Sequence, residues 1–207
     1  MTITSGWTKA ATLHLRLTKQ GEGWYYAEIF TKARLSFGRY RSGLWDAWIA
    51  RSQRRVRIIQ LPDPMSDRMA RTRLTSSFAQ WGQPEAAMGN YTVWPAREGL
   101  RRASQRFSVE LKGEFTTHGF TWNSTGVAFE SLHGHRDDSS NKFADWLYKP
   151  HDPPAYIFQK AMPIRINVWL FQGQPPRNGQ QVELIVRSFK FTPAMASAAI
   201  TEMPGRP

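Results

Sequence analysis

At 207 residues the chain has the length of one domain and can bury a substantial core, and its 13 prolines, 15 glycines and nine tryptophans favour a turn-rich, all-β protein. With no cysteine it has neither disulfides nor a thiolate site, and with no long apolar run or charged-then-apolar leader neither a membrane span nor a signal peptide is expected. The formal net charge of +12 needs an explanation of its own.

In chain order, Thr12–Thr18 alternates with Leu13, Leu15 and Leu17 on one face. Lys19–Gly23 reads as a turn and Trp24–Thr31 as the second arm of a hairpin, with a further strand opening at Phe37-Gly38-Arg39-Tyr40. The segments RSQRRVR (51–57) and RMARTR (68–73) are dense in arginine, and the stretch between them carries two prolines and no strand alternation. Residues 41–77 therefore stand out as atypical and basic: a long loop or short helix, possible disorder, or an arm that binds polyanions. Phe115–His135 reads as two strands around the turn Asn123-Ser124-Thr125-Gly126. Pro163–Pro193 gives two more around a Gly/Pro-rich loop. In the first of these, Ile164, Ile166, Val168 and Leu170 form a core face. Arg165, Asn167, Trp169 and Phe171 form a face suited to a sugar cleft. The tail from 194 to 207 is small and polar and is expected to fray.

Three patterns carry a resemblance: FTTHGFTW…VAFES from Phe115, RINVWLFQGQPP from Arg165, and VELIVRSFKF from Val182. With YYAEIFTKARLSFGRY from Tyr25, they resemble glycoside hydrolase family 16, over roughly residues 11–40 and 78–193. The resemblance implies an antiparallel two-sheet β-sandwich, the concanavalin A-like jelly roll, as a single domain over residues 1–193. It further implies a polysaccharide or oligosaccharide partner of the β-glucan type, no cofactor or metal, a monomer, and an extracellular or periplasmic location.

Family members carry Glu-Ile-Asp-Ile-Glu-Phe on one strand, whose acids are nucleophile, tuning group and acid/base of a retaining glycosidase. Counting back from Trp81-Gly82, the matching positions are Arg73, Thr75 and Ser77, which cannot do that chemistry. Synonymous codons for Arg71–Phe78 include CGC ACG AGA TTG ACA TCG AGT TTC. Read from the third base, this string spells His-Glu-Ile-Asp-Ile-Glu-Phe. Arg54–Pro62, read from the second codon base, likewise permits Val-Val-Leu-Gly-Leu-Phe-Ser-Tyr, which resembles the family's preceding strand. A frameshifted or degenerate catalytic region is therefore preferred to the loop readings.

For sugar contacts the resemblance and the strand faces nominate Trp81, Asn90, His118, Trp122, Asn167 and Trp169. Trp94 is a further stacking ring, since a flat apolar sugar face suits an indole. Packing inside the sandwich is the competing role for each tryptophan. The His133-Gly134-His135 run beside Asp137 and Asp138 is read as a polar loop, not a metal site. Three functions follow: an inactive family 16-like scaffold, a noncatalytic lectin-like protein for neutral or anionic glycans, and a nucleic-acid or polyanion binder. The last is weakest, because only charge supports it and no nucleic-acid motif accompanies the charge.

Overall fold

The computed structural model describes residues 12–45, 56–62, 72–79, 86–170, 175–176 and 179–195. The alternating leucines become β1 (Leu13–Gln20), in which Leu15 and Leu17 are buried and Leu13 lies at the rim. The chain continues through β2 (Gly23–Tyr25), β3 (Ala27–Phe30), β4 (Gly38–Trp45), β5 (Val56–Pro62), β6 (Thr72–Phe78) and β7 (Gly89–Val93). After β8 (Ala103–Phe107) comes the hairpin of β9 (Phe115–Trp122) and β10 (Val127–His133). Then follow β11 (Lys142–Tyr148), the single-turn helix α1 (Pro153–Tyr156), β12 (Arg165–Val168) and β13 (Val182–Pro193).

These strands make two antiparallel sheets. One has seven strands in the order β11-β10-β9-β4-β13-β1-β2, the other six in the order β3-β12-β5-β6-β7-β8. They meet through side chains of matching parity. Tyr40 stands opposite Phe120, and Phe120 opposite Phe129, on one inner face. Leu74 stands opposite Val93, and Ser76 opposite Tyr91, on the other. Tyr91 stacks on Phe129 across the gap at 4.9 Å between centroids, and Phe78 meets His118 at 4.6 Å. Burying one such ring is worth about 1.5–3 kcal/mol, so this aromatic seam is a main source of cohesion between the sheets. The fold is the concanavalin A-like jelly roll.

The structure refines several strand expectations. Trp24–Thr31, read as one strand, divides at Tyr26: β2 completes the hairpin with β1, whereas β3 joins β12 in the other sheet. The chain thus passes from one layer to the other within a single apolar run. In the basic stretch 41–77, the described residues are strand: the end of β4, all of β5, and β6 from Thr72. β5 pairs with both β6 and β12, and β6 also pairs with β7, so neither has an open edge. The turn at Asn123 is as expected. Its Oδ1 accepts hydrogen bonds from the backbone N–H groups of Thr125 and Gly126, each 2.9 Å long. β8 and β11 were not anticipated.

Candidate functional site

Strand parity separates a polar face from the core face of the six-stranded sheet. On β6, Leu74 and Phe78 enter the core, so Thr75 and Ser77 belong to the opposite face. Register extends that face sideways to Thr92 and Asn90 on β7, then to Ser104 and Arg106 on β8. In the other direction, Ser77 is opposite Arg57, Arg57 opposite Asn167, and Asn167 opposite Glu28. Arg165 is opposite Phe30 at the same edge.

The β3–β12 end is an engaged cluster. Arg165 donates from Nη1 to Glu28 Oε1 at 2.7 Å, and Asn167 donates from Nδ2 to Glu28 Oε2 at 2.8 Å. Both carboxylate oxygens are therefore in use, which fixes the two β12 side chains. The Arg165 guanidinium also lies 5.6 Å from the Phe30 ring centre. In the middle, Thr75, Ser77 and Thr92 are recessed. Asn90 is only half-buried and donates from Nδ2 to Thr92 Oγ1 at 2.8 Å, and Thr92 Oγ1 lies 3.1 Å from Ser104 Oγ. Among the described residues, Asn90 Oδ1 has no hydrogen-bond partner. At the β7–β8 end, Trp94 is exposed and the Arg102 guanidinium carbon lies over its ring, 4.8 Å from the centre.

The nominated residues separate by sheet. Asn90 and Asn167 lie on the polar face, and Trp169, half-buried, follows directly on β12 with the parity of Asn167. Thr75 and Ser77 stand on β6 as expected, and Arg73 occupies the strand position two residues before Thr75. Trp81 lies outside the described residues.

His118 and Trp122 require correction as cleft residues. Both are on β9 of the seven-stranded sheet, share the parity of Phe120, and are wholly buried. The ring of Phe37 meets Trp122 edge-on at 4.8 Å. His118 Nδ1 is 2.8 Å from Ser131 Oγ, and its Nε2 is 2.6 Å from Thr116 Oγ1. Tyr91 donates to Ser131 at 2.6 Å, so one chain of hydrogen bonds links the two sheets. Burial lowers the His118 pKa to about 3, because the charged imidazolium would sit without water. A side chain so enclosed cannot receive a ligand. The resemblance had nominated His118 for the cleft, but it has the parity of Phe120 and so the same inward face.

The histidines at 133 and 135 have local roles. His133 Nδ1 accepts from the Lys112 backbone N–H at 3.3 Å, and His135 Nε2 donates to the Leu44 carbonyl at 3.1 Å. Sequence reasoning missed Glu28, Arg102 and Arg106. Glu28 sits in an ordinary alternating run, and its partners lie over 130 residues away, so only the register with β12 shows its role.

Known structures share this architecture. A pseudo β-1,3-glucanase and immunostimulatory antigen of Mycobacterium tuberculosis has a TM-score of 0.63 at 16% identity, over 88% of this chain and 75% of that one. A family 16 protein of Bacteroides ovatus, in complex with its G4G4G3G product, has a TM-score of 0.62 at 13% identity, over 89% and 84%. The Bacillus licheniformis β-glucanase has a TM-score of 0.58 at 10% identity, over 88% and 78%. No family model matches the chain, and no curated protein matches its sequence. At these identities the likeness is one of fold: the chain has the jelly roll of glycoside hydrolase family 16 structures.

Proposed function

We propose that the chain is a family 16-like scaffold that binds β-glucan-type polysaccharide without hydrolysing it. The observation that carries this reading is the chemistry of the polar face. Arg73, Thr75 and Ser77 stand where the family resemblance expects three acids. Among the described residues that register assigns to the face, Glu28 is the only carboxylate, and Arg165 and Asn167 hold it. Retaining hydrolysis needs two carboxyl groups about 5 Å apart, one as nucleophile and one as proton donor. Glu28 alone supplies no such pair. What remains is a floor of amides, hydroxyls and guanidinium groups bordered by rings, which suits the hydroxyls and flat faces of sugars.

The pseudo-glucanase among the structural neighbours supports a jelly roll of this kind that has lost hydrolysis, and the Bacteroides ovatus product complex supports an oligosaccharide as occupant. We further infer that the acids were lost by a shift of reading frame, because the family motif can be spelled from synonymous codons for Arg71–Phe78. The coding DNA across residues 41–81 tests that origin directly.

Function is tested by affinity electrophoresis in gels containing laminarin or lichenan, alongside an assay of reducing ends. The expected result is weak retention, reduced in Trp169→Ala, with no release of reducing ends. Equal retention of parent and variant would overturn the assignment of the binding face. Robust hydrolysis would overturn the inactive scaffold.

A further inference from the structure

Positive charge on this molecule is unevenly compensated. Arg16 is paired with Glu183, Arg39 and Arg41 with Glu130, Arg97 with Asp152 and Arg165 with Glu28. Arg101 and Arg102, just before β8, and Arg106 on it are exposed, and none has an ion pair among the described residues. Three uncompensated guanidinium groups thus stand within six residues at and just before the edge strand of this sheet.

The geometry of Arg102 gives this charge a purpose. The Arg102 Cζ lies over the Trp94 ring, 4.8 Å from its centre, a contact that restrains a long side chain whose N–H groups have no ion pair among the described residues. A guanidinium edge matches the paired oxygens of a carboxylate or sulfate. Arg106 stands opposite Asn90 in register, four residues further along β8, or about 13 Å at the rise of a strand. The two cations can thus meet acid groups several sugar units apart on one polymer, next to the half-buried amide of Asn90.

We propose that the β7–β8 end of the polar face is a binding site for acidic glycan, in which Arg102 and Arg106 take the uronate or sulfate groups. This rests on the reading of the polar face as a glycan site and departs from a neutral β-glucan only at this end, where it adds acid-bearing sugars. Uronate and sulfate present the same anionic oxygens to the fork, so the shared chemistry is the claim.

The test compares matched polymers: polygalacturonate against its carboxyl-reduced neutral product, and a sulfated galactan against its desulfated product. Affinities are measured by isothermal titration for the parent, Arg102→Gln/Arg106→Gln, and Lys19→Gln/Lys149→Gln as a control for overall charge. The parent should prefer at least one acidic polymer to its neutral partner, and which pair responds identifies the acid group. The Arg102/Arg106 variant should lose about tenfold in affinity for that polymer, as expected for two charge-assisted contacts, while the lysine control stays within about twofold. Equal losses in both variants would mean diffuse attraction to a basic protein and would overturn the proposal. So would a single-stranded DNA oligonucleotide that binds as tightly and with the same dependence on Arg102 and Arg106. Indifference to the acid groups, with laminarin retention still dependent on Trp169, overturns the acidic class and leaves the scaffold reading standing. Binding to no glycan of either kind overturns both.

Discussion

His118 has two ring nitrogens, and the fold supplies a hydroxyl to each, from Ser131 and Thr116, without admitting water. A consistent chain has Tyr91 donating to Ser131, Ser131 to Nδ1, and Nε2–H to Thr116. Protonation would turn Nδ1 into a second donor and break that chain. The folded pKa of about 3 lies below the ordinary histidine value near 6.5, so the unfolded chain binds the proton more readily. The stabilising effect is full above about pH 6.5 and is lost as pH falls toward 3. In urea titrations at pH 7 and pH 4, the parent should therefore lose more stability on acidification than His118→Gln, whose amide does not titrate. Equal losses would show that His118 is not the linked group. Arg41 makes a second residue-scale case. Buried on the outer side of the seven-stranded sheet, it donates to Glu130 at 2.5 Å and to the carbonyls of Arg136 and Asp138 at 2.8 and 2.6 Å. Burial raises the Glu130 pKa, but the hydrogen bonds of Ser139 and Arg39 and the charge of Arg41 outweigh this and hold the carboxyl below its usual value. Arg41→Met orphans two carbonyls but leaves Arg39 and Ser139 on Glu130, so a loss of about 2–3 kcal/mol in denaturant midpoint analysis is expected. At this scale the sequence could nominate polar residues on strands, but it could not say which sheet received them. Asn167 and His118 both lie in alternating runs, and only the pairing of β12 with β3 and of β9 with β4 separates an amide on the polar face from an imidazole enclosed between the sheets.

Strands show where alternation suffices and where it does not. Gly89 begins β7 opposite Phe107 on β8, and the Phe107 ring lies over the space that a side chain would need. A Cβ added at Gly89 would stand 2.1–2.5 Å from three atoms of that ring, far inside van der Waals contact. The same ring also packs against Phe78 and Tyr91, so it has little room to retreat. Gly89→Ala should cost about 1–3 kcal/mol by overpacking, with the denaturant slope unchanged. Adding Phe107→Leu should recover part of that loss, and strict additivity of the two changes would disprove the clash. The β9–β10 hairpin and the core face of β12 were readable because their apolar residues recur every second position between clear turn residues. β8 was not, because ASQRF has polar residues at three consecutive positions, as befits an edge strand exposed on both faces. β5 and β6 were obscured for another reason: β6 fills its inward positions with Leu74, Ser76 and Phe78, and the hydroxyl in the middle interrupts the apolar pattern.

For the whole molecule, the question is what this jelly roll would need in order to hydrolyse a glycan. β6 lies between β5 and β7 in the six-stranded sheet, so its polar-face positions depend on what its neighbours present. Replacing Arg73→Glu, Thr75→Asp and Ser77→Glu rewrites the three positions without touching the core face. Leu74→Ile and Ser76→Ile would complete the family motif, but Ser76 is fully buried opposite Tyr91, and extra volume there risks about 1–3 kcal/mol. The triple variant is therefore the cleaner test. Its difficulty is on β5, where Arg57 stands at the register position opposite residue 77. By resemblance, residue 77 is the acid/base position, which must hold a proton to release the leaving group. A cation at the adjacent strand position would stabilise the ionised carboxylate and depress its pKa, the wrong direction for a proton donor. The triple variant should consequently release no reducing ends from laminarin or lichenan at neutral pH. Activity should emerge only when Arg57 and the rest of residues 41–72 are also rewritten in the shifted frame, which replaces the single arginine of β5 with an uncharged residue. Hydrolysis by the triple variant alone would show that β5 is not an obstacle and that the three β6 positions suffice.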